Sequence, residues 1–142
     1  MTSLPLRRTE NEPDLTVRED APILEKDLGY RLVGCALEVL GELGHGLHEK
    51  PYENALVIAL RDAGIAFRQQ ENHPILFRGE TVGLFVPDLI VDDRVIVDIK
   101  VIDKITSHEQ GQMLNYLRIT GLRVGLIINF KHAKLQWERV IL

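Results

Sequence analysis

Three charged residues, Asp88, Asp98 and Lys100, stand inside stretches that are otherwise apolar and β-branched. Val86-Pro87-Asp88-Leu89-Ile90-Val91 and Val95-Ile96-Val97-Asp98-Ile99-Lys100 read as two strands joined at Asp92-Asp93-Arg94, a hairpin pattern that needs no charge of its own. Alternation puts Asp98 and Lys100 on one face and Val97 and Ile99 on the other. A two-residue turn would turn Asp88 toward the apolar face. A three-residue turn, Asp92 to Arg94, pairs Val91 with Val95, Leu89 with Val97 and Pro87 with Ile99, and sets Asp88 opposite Asp98. That register keeps one face wholly apolar, so it is the one expected.

Two carboxylates so close repel, and one is driven toward protonation unless a cation lies between them. Asp88, Asp98 and the backbone carbonyl of Ile99 are all oxygen donors, a set that suits Mg²⁺ or Mn²⁺ better than zinc. Lys100 beside such an ion could orient a water or stabilise charge developing on a phosphate. The same residues also fit an edge strand guarded by inward-pointing charge, and the hairpin alone does not choose between the two.

The elements that must carry this hairpin follow from periodicity. From Ile23 to Leu43 the residues Leu28, Leu32, Cys35, Ala36, Val39, Leu40 and Leu43 recur at three- and four-residue steps, one apolar stripe of a helix. Gly44-His45-Gly46 breaks it, and a second helix is expected from about Glu49 to Ala63, with Tyr52, Leu56, Ala59, Leu60 and Ala63 buried and Pro51 tolerated in its first turn. Glu49 opens this helix, either as a partner of the helix dipole or as a third acid aimed at the metal. Ile65–Gln70, Pro74–Phe77 and the run from Val82 to Asp88 read as strands that chain by hairpins into a small sheet. Ser107-His108-Glu109-Gln110 has the spacing of a capping box, and on the helix it starts Gln112 and Tyr116 share a face. Leu122–Asn129 is a nearly continuous apolar run, as expected of a strand buried on both faces and reached by a parallel crossover. Leu135–Leu142 supplies a last strand.

Composition places the chain among globular proteins: 142 residues, 45% hydrophobic and 27% charged, with no apolar run long enough to span a membrane. Residues 1–22 lack sustained periodicity and are expected to form a flexible arm, with one domain over 23–142. No apolar signal-peptide core opens the sequence, and the lone Cys35 lies on an apolar helix stripe, so a buried thiol and a cytoplasmic location are expected. The net charge of −4 weighs against a nucleic-acid partner. Its distribution softens this: residues 1–99 hold 10 Lys+Arg against 18 Asp+Glu, whereas residues 100–142 hold 7 against 3. His45 and His48 lack the further ligands a zinc site needs, and no Gly-rich phosphate loop or nucleophile elbow is present.

The ordered set of an acid-bearing helix, Pro87-Asp88, Asp98-Ile99-Lys100, and Gln112 with Tyr116 four residues on resembles the PD-(D/E)xK nuclease superfamily. Gly46-Leu47-His48-Glu49-Lys50-Pro51-Tyr52, followed by Glu53-Asn54-Ala55-Leu56, is similar to the signature of its GxxExxY branch, as is Gly121-Leu122-Arg123-Val124-Gly125-Leu126-Ile127-Ile128-Asn129-Phe130. The resemblance covers about residues 27–142. It implies an α/β fold with a restriction-endonuclease-like core, a small mixed β-sheet flanked by helices in the order α-α-β-β-β-α-β-β. It further implies that Asp88, Asp98, Glu49 and the Ile99 carbonyl hold Mg²⁺ (or Mn²⁺) and that Lys100 positions the attacking water. Gln112, Tyr116 and Tyr52 would support the site or contact substrate. Asp98 stands where the branch often has Glu, a shorter reach that the superfamily pattern allows.

Two functions follow as expectations. The first is a metal-dependent nuclease, acting on DNA ahead of RNA by attack of an activated water. A homodimer would suit it, because a single small domain cuts one strand per visit. The second is a non-catalytic module that binds nucleic acid or a protein on the same fold.

Overall fold

The computed structural model describes residues 25–142. The expected arm, residues 1–22, lies outside the described residues, as do the first two residues expected of the domain.

Helix α1 (Lys26–Leu43) and helix α2 (Glu49–Asp62) pack as an antiparallel pair against one face of a sheet. The buried stripe of α1, Leu28, Leu32, Cys35, Ala36, Val39 and Leu40, is the one the spacing predicts, but Leu43 is exposed at the helix end. On α2 the buried residues are Tyr52, Glu53, Leu56, Val57 and Leu60. Ala63 is the exposed C-cap rather than part of the stripe, and Glu53 takes an inward position.

Five strands form the main sheet: β1 (Phe67–Gln69), β4 (Leu89–Val91), β5 (Val95–Lys100), β6 (Val124–Asn129) and β7 (Gln136–Ile141), in spatial order β1-β4-β5-β6-β7. Only β5 and β6 run parallel, joined through helix α3 (Ser107–Thr120) on the opposite face. All six residues of β6 are buried, as its unbroken apolar run requires. The result is a mixed sheet with helices on both sides, in agreement with the expected α/β class. Two cores result. Val95, Val97 and Ile99 join Leu126 and Ile128 beneath α1 and α2, while Ile96 and Ile127 meet Met113 and Leu117 of α3.

The central hairpin has the expected register, Leu89↔Val97, Ile90↔Ile96 and Val91↔Val95, closed by Asp92 and Asp93 at positive φ with the Arg94 N–H donating to the Val91 carbonyl. The ladder stops at Leu89, however, and Asp88 lies just beyond it.

Strand division is finer than expected, with five segments between α2 and α3 instead of three. β2 (His73–Phe77) and β3 (Glu80–Phe85) do not chain into the main sheet; they pair only with each other as a separate two-stranded ribbon. Pro87 explains the separation: it removes an N–H donor and ends β3 before Asp88. The capping box of α3 also sits one residue earlier than its expected start. The Thr106 hydroxyl accepts from the His108 N–H and the Glu109 carboxylate accepts from the Thr106 N–H.

Candidate active site

The break after Pro87 frees the Asp88 side chain to act where a backbone carbonyl would otherwise stand. Its Oδ2 accepts the Ile99 N–H at 2.8 Å, while its own carbonyl accepts from Gln70 at 3.2 Å. Both ends of Asp88 are thereby fixed between β1 and β5. The Lys100 carbonyl accepts from the Phe130 N–H, which turns residue 100 toward β6. Successive residues of a strand point their backbone groups to opposite sides, so the Ile99 carbonyl shares the Asp88 side with its N–H.

Asp98 and Lys100 project from β5 on the α3 face. Lys100 Nζ lies 3.5 Å from Asp98 Oδ2 and donates to Gln112 Oε1 at 3.3 Å. Asp98 Oδ2 is nonetheless buried without a hydrogen-bond partner. Desolvation, above all, pushes the Asp98 carboxyl up to about 7; Lys100 opposes the rise and the Asp88 charge adds to it. Asp88 is raised too, by burial first; the Ile99 N–H opposes this, and repulsion from Glu53 and then Glu49 adds to it. Tyr116 is pushed up to about 12 by burial and the two aspartates, so its hydroxyl remains a donor. Its ring stacks on Phe85, centroids 4.0 Å apart.

A pocket of about 220 Å³ opens between these groups, lined by Glu49, Phe85, Pro87, Asp88, Asp98 and Lys100, with Ile99 and Tyr116 also in its wall. The structure thus brings together Asp88, Asp98, Lys100, Glu49, Ile99 and Tyr116, with Gln112 attached through Lys100. Tyr52 is elsewhere. Its buried hydroxyl donates to the Gly44 carbonyl (2.7 Å) and accepts from the Leu47 N–H (3.0 Å), and its ring stacks on Phe130. It therefore fixes the loop that leads into Glu49.

Glu53 is the residue sequence reasoning passed over. Only 3% exposed, it accepts hydrogen bonds from Gln69 (2.7 Å), Gln70 (2.9 Å) and Lys50 (3.2 Å). The signal was available: an acid one residue after Tyr52 falls on the same inward arc of α2 as Leu56 and Leu60.

Two neighbouring buried acids, both with raised proton affinity, share one ammonium, and Asp98 Oδ2 has no hydrogen bond; the arrangement is short of positive charge. Its oxygen donors fit a hard divalent ion. Among the described residues no three His, Cys, Asp or Glu side chains are grouped to hold a metal ion. Glu49 lines the pocket yet stays exposed, which leaves two aspartates and the Ile99 carbonyl as the near donors. Mg²⁺ commonly takes one or two carboxylates and completes its shell with water.

The profile of the PD-(D/E)XK nuclease superfamily matches residues 26–140. Among solved structures the chain is similar to SSO0001, at 16% identity and a TM-score of 0.50, covering 88% of this chain and 61% of that one. It is also similar to an alkaline exonuclease from Laribacter hongkongensis, at 14% identity and a TM-score of 0.47, covering 60% and 51%. The chain therefore spans about half to three-fifths of the solved structures it resembles. No curated protein sequence matches it significantly. Among the described residues no helix is long and apolar enough to cross a membrane.

Proposed function

The chain belongs to the PD-(D/E)XK nuclease superfamily, and from that premise we propose that it is a divalent-metal-dependent nuclease that hydrolyses phosphodiester bonds, in DNA ahead of RNA. The observation that carries this reading is the buried Asp98 Oδ2, which has the Lys100 ion pair but no hydrogen bond and is held beside Asp88 in one pocket.

Asp88, Asp98 and the Ile99 carbonyl would hold Mg²⁺ or Mn²⁺. Bound there, the ion would supply charge stabilisation to a phosphate and a more acidic water. The remaining work belongs to the chain. The Ile99 N–H fixes the rotamer of Asp88. Gln112 holds the Lys100 ammonium at the pocket, where Lys100 orients the attacking water and balances charge growing on the phosphate oxygens. The Tyr116 hydroxyl, kept protonated, is a donor to a phosphate oxygen. Glu49 and Glu53 add negative potential around Asp88, which favours a cation over a proton in the pair. We assign the chain to the GxxExxY branch on its Gly46–Tyr52 motif, in which Glu49 faces the pocket and Tyr52 pins the preceding loop.

The net charge of −4 favours a second reading, a non-catalytic module on this fold. The two separate in one experiment: purified protein with supercoiled plasmid, linear duplex, single-stranded DNA and RNA, in Mg²⁺, Mn²⁺ or EDTA. Cleavage that needs the metal and falls about 10²–10³-fold in Lys100→Ala supports the nuclease. Equal cleavage by the variant refutes the assignment, and no cleavage of any substrate favours the module.

A further inference from the structure

The β2–β3 ribbon is apolar on both of its faces. Ile75 and Phe85 point inward to the α3 core, where Phe85 stacks on Tyr116. On the other side Leu76 is 60% exposed, Val82 63% and Leu84 60%, beside Pro74, while Val86 lines the pocket with Asp88 and Phe77 is exposed at the tip on the Ile75 face. Leu84 lies opposite Pro74, and the register slips between Ile75 and Leu76, which puts Val82 in a bulge. A two-stranded ribbon with one solvated face ordinarily alternates apolar and polar residues; one apolar on both faces has the pattern of a strand pair covered on both sides.

We propose that this outer face is the interface through which two copies of the chain associate. Area supports it. Pro74, Leu76, Val82 and Leu84 present on the order of 400 Å² of apolar surface, within the range of the largest patch on a typical monomer. Covering that patch on two copies removes about 800 Å², which a polar rim around the tip brings to the roughly 1,000 Å² of a specific interface.

Charge points to a second copy and not to a nucleic acid. Residues 73–86 carry one arginine, Arg78, and one acid, Glu80, on either side of the Gly79 turn. A polyanion gains nothing from a neutral ribbon, since phosphate binding draws on net positive charge. A two-fold axis placed beside the Gly79 turns instead sets Arg78 of one copy against Glu80 of the other, the self-complementarity of an isologous interface. The Arg78 guanidinium already lies over the Phe77 ring, 4.8 Å from its centroid, so the tip is partly ordered for contact.

The inference goes beyond the nuclease reading and does not depend on it, because it is read from oligomeric state without substrate. It also has a spatial consequence: the ribbon runs through Val86 and Pro87 directly into Asp88, so association through it would bring both pockets close to the interface.

The test is sedimentation equilibrium and light scattering of the full chain over a wide concentration range, with Leu84→Glu and Val82→Cys. The expected result is a species of twice the 16.1 kDa chain mass whose dissociation constant rises at least tenfold in Leu84→Glu. Val82→Cys should cross-link to a covalent dimer with a short bismaleimide, whereas the wild type, whose Cys35 is buried, should not. This second variant reads the interface even where Leu84→Glu fails to fold. A wild-type chain that stays monomeric at every concentration overturns the proposal, as does a dimer that Leu84→Glu leaves intact or Val82→Cys that does not cross-link. Protection of Val82→Cys from maleimide by an oligonucleotide, with no protection by rising protein concentration, would also overturn it, in favour of nucleic-acid docking.

Discussion

The two faces of strand β5 differ as sharply as any two regions of the molecule. Val95, Val97 and Ile99 are almost wholly withdrawn from water beneath α1 and α2. One residue over in each case, Ile96, Asp98 and Lys100 face α3, and the last two form an ion pair whose buried Asp98 Oδ2 has no hydrogen bond. One face supplies stability and the other spends part of it. Because both belong to the same six residues, the close-packed side sets the positions of the charged side to within the tolerance of a sheet ladder, which is the rigid support a reactive site needs.

Substitution on each face should therefore break different properties. Ile99→Ala is expected to cost about 2–5 kcal/mol of stability by opening a cavity beneath α2, read as a fall in denaturation midpoint. Lys100→Ala should leave that midpoint nearly unchanged while removing cleavage. Loss of folding in Lys100→Ala, or cleavage loss without destabilisation in Ile99→Ala, would dissolve the contrast.

pH sharpens it further. Asp98 titrates higher in the folded chain than in the unfolded one, so the folded state holds that proton more tightly and stability falls as pH rises through the interval between the two values. The window runs from the ordinary carboxylate range, about 4, up to about 7. Metal-free protein should melt lower at about pH 8 than at about pH 5, and Asp98→Asn should show a shallower decline. Equal slopes in the two proteins would mean that the acid pair is not strained.

Gly125→Ala tests the packing of the α3 side. A Cβ there would fall within the envelope of the Met113 thioether, and because that side chain is flexible the expected cost is about 1–3 kcal/mol. Tyr52→Phe should cost a similar amount, removing the two loop hydrogen bonds at about 0.5–1.5 kcal/mol each. It should lower the melting temperature without the loss of cleavage that marks Lys100→Ala.

The two faces also differed in how plainly the sequence declared them. Period-two alternation in Leu89–Val91 and Val95–Ile99 was enough to choose a three-residue turn and place Asp88 near Asp98, since any slip would have buried a charge in the apolar core. The apolar stripes of α1 and α2 were equally plain. Glu53 was only half legible: its place on the inward arc of α2 could be read, but the amides of Gln69 and Gln70 that satisfy it are distant in sequence and brought near only by β1. The separate β2–β3 ribbon was missed for a related reason: local pattern marks a hairpin but does not say which sheet it joins. The cap of α3 was displaced by one residue because Thr106-x-x-Glu109 and Ser107-x-x-Gln110 compete, and the ionised Glu109 makes the stronger return bond to the backbone.

The central claim is that Asp88 and Asp98 form a divalent-cation site that a proton fills when the metal is absent. Calorimetric titration of Mn²⁺ and Mg²⁺ into the full chain near neutral pH, repeated in buffers of different ionisation enthalpy, measures binding and proton release together. The account predicts saturable binding accompanied by release of protons, with affinity reduced at least tenfold in Asp88→Asn. Binding that survives unchanged in Asp88→Asn, or no binding at all in the wild type, would contradict it.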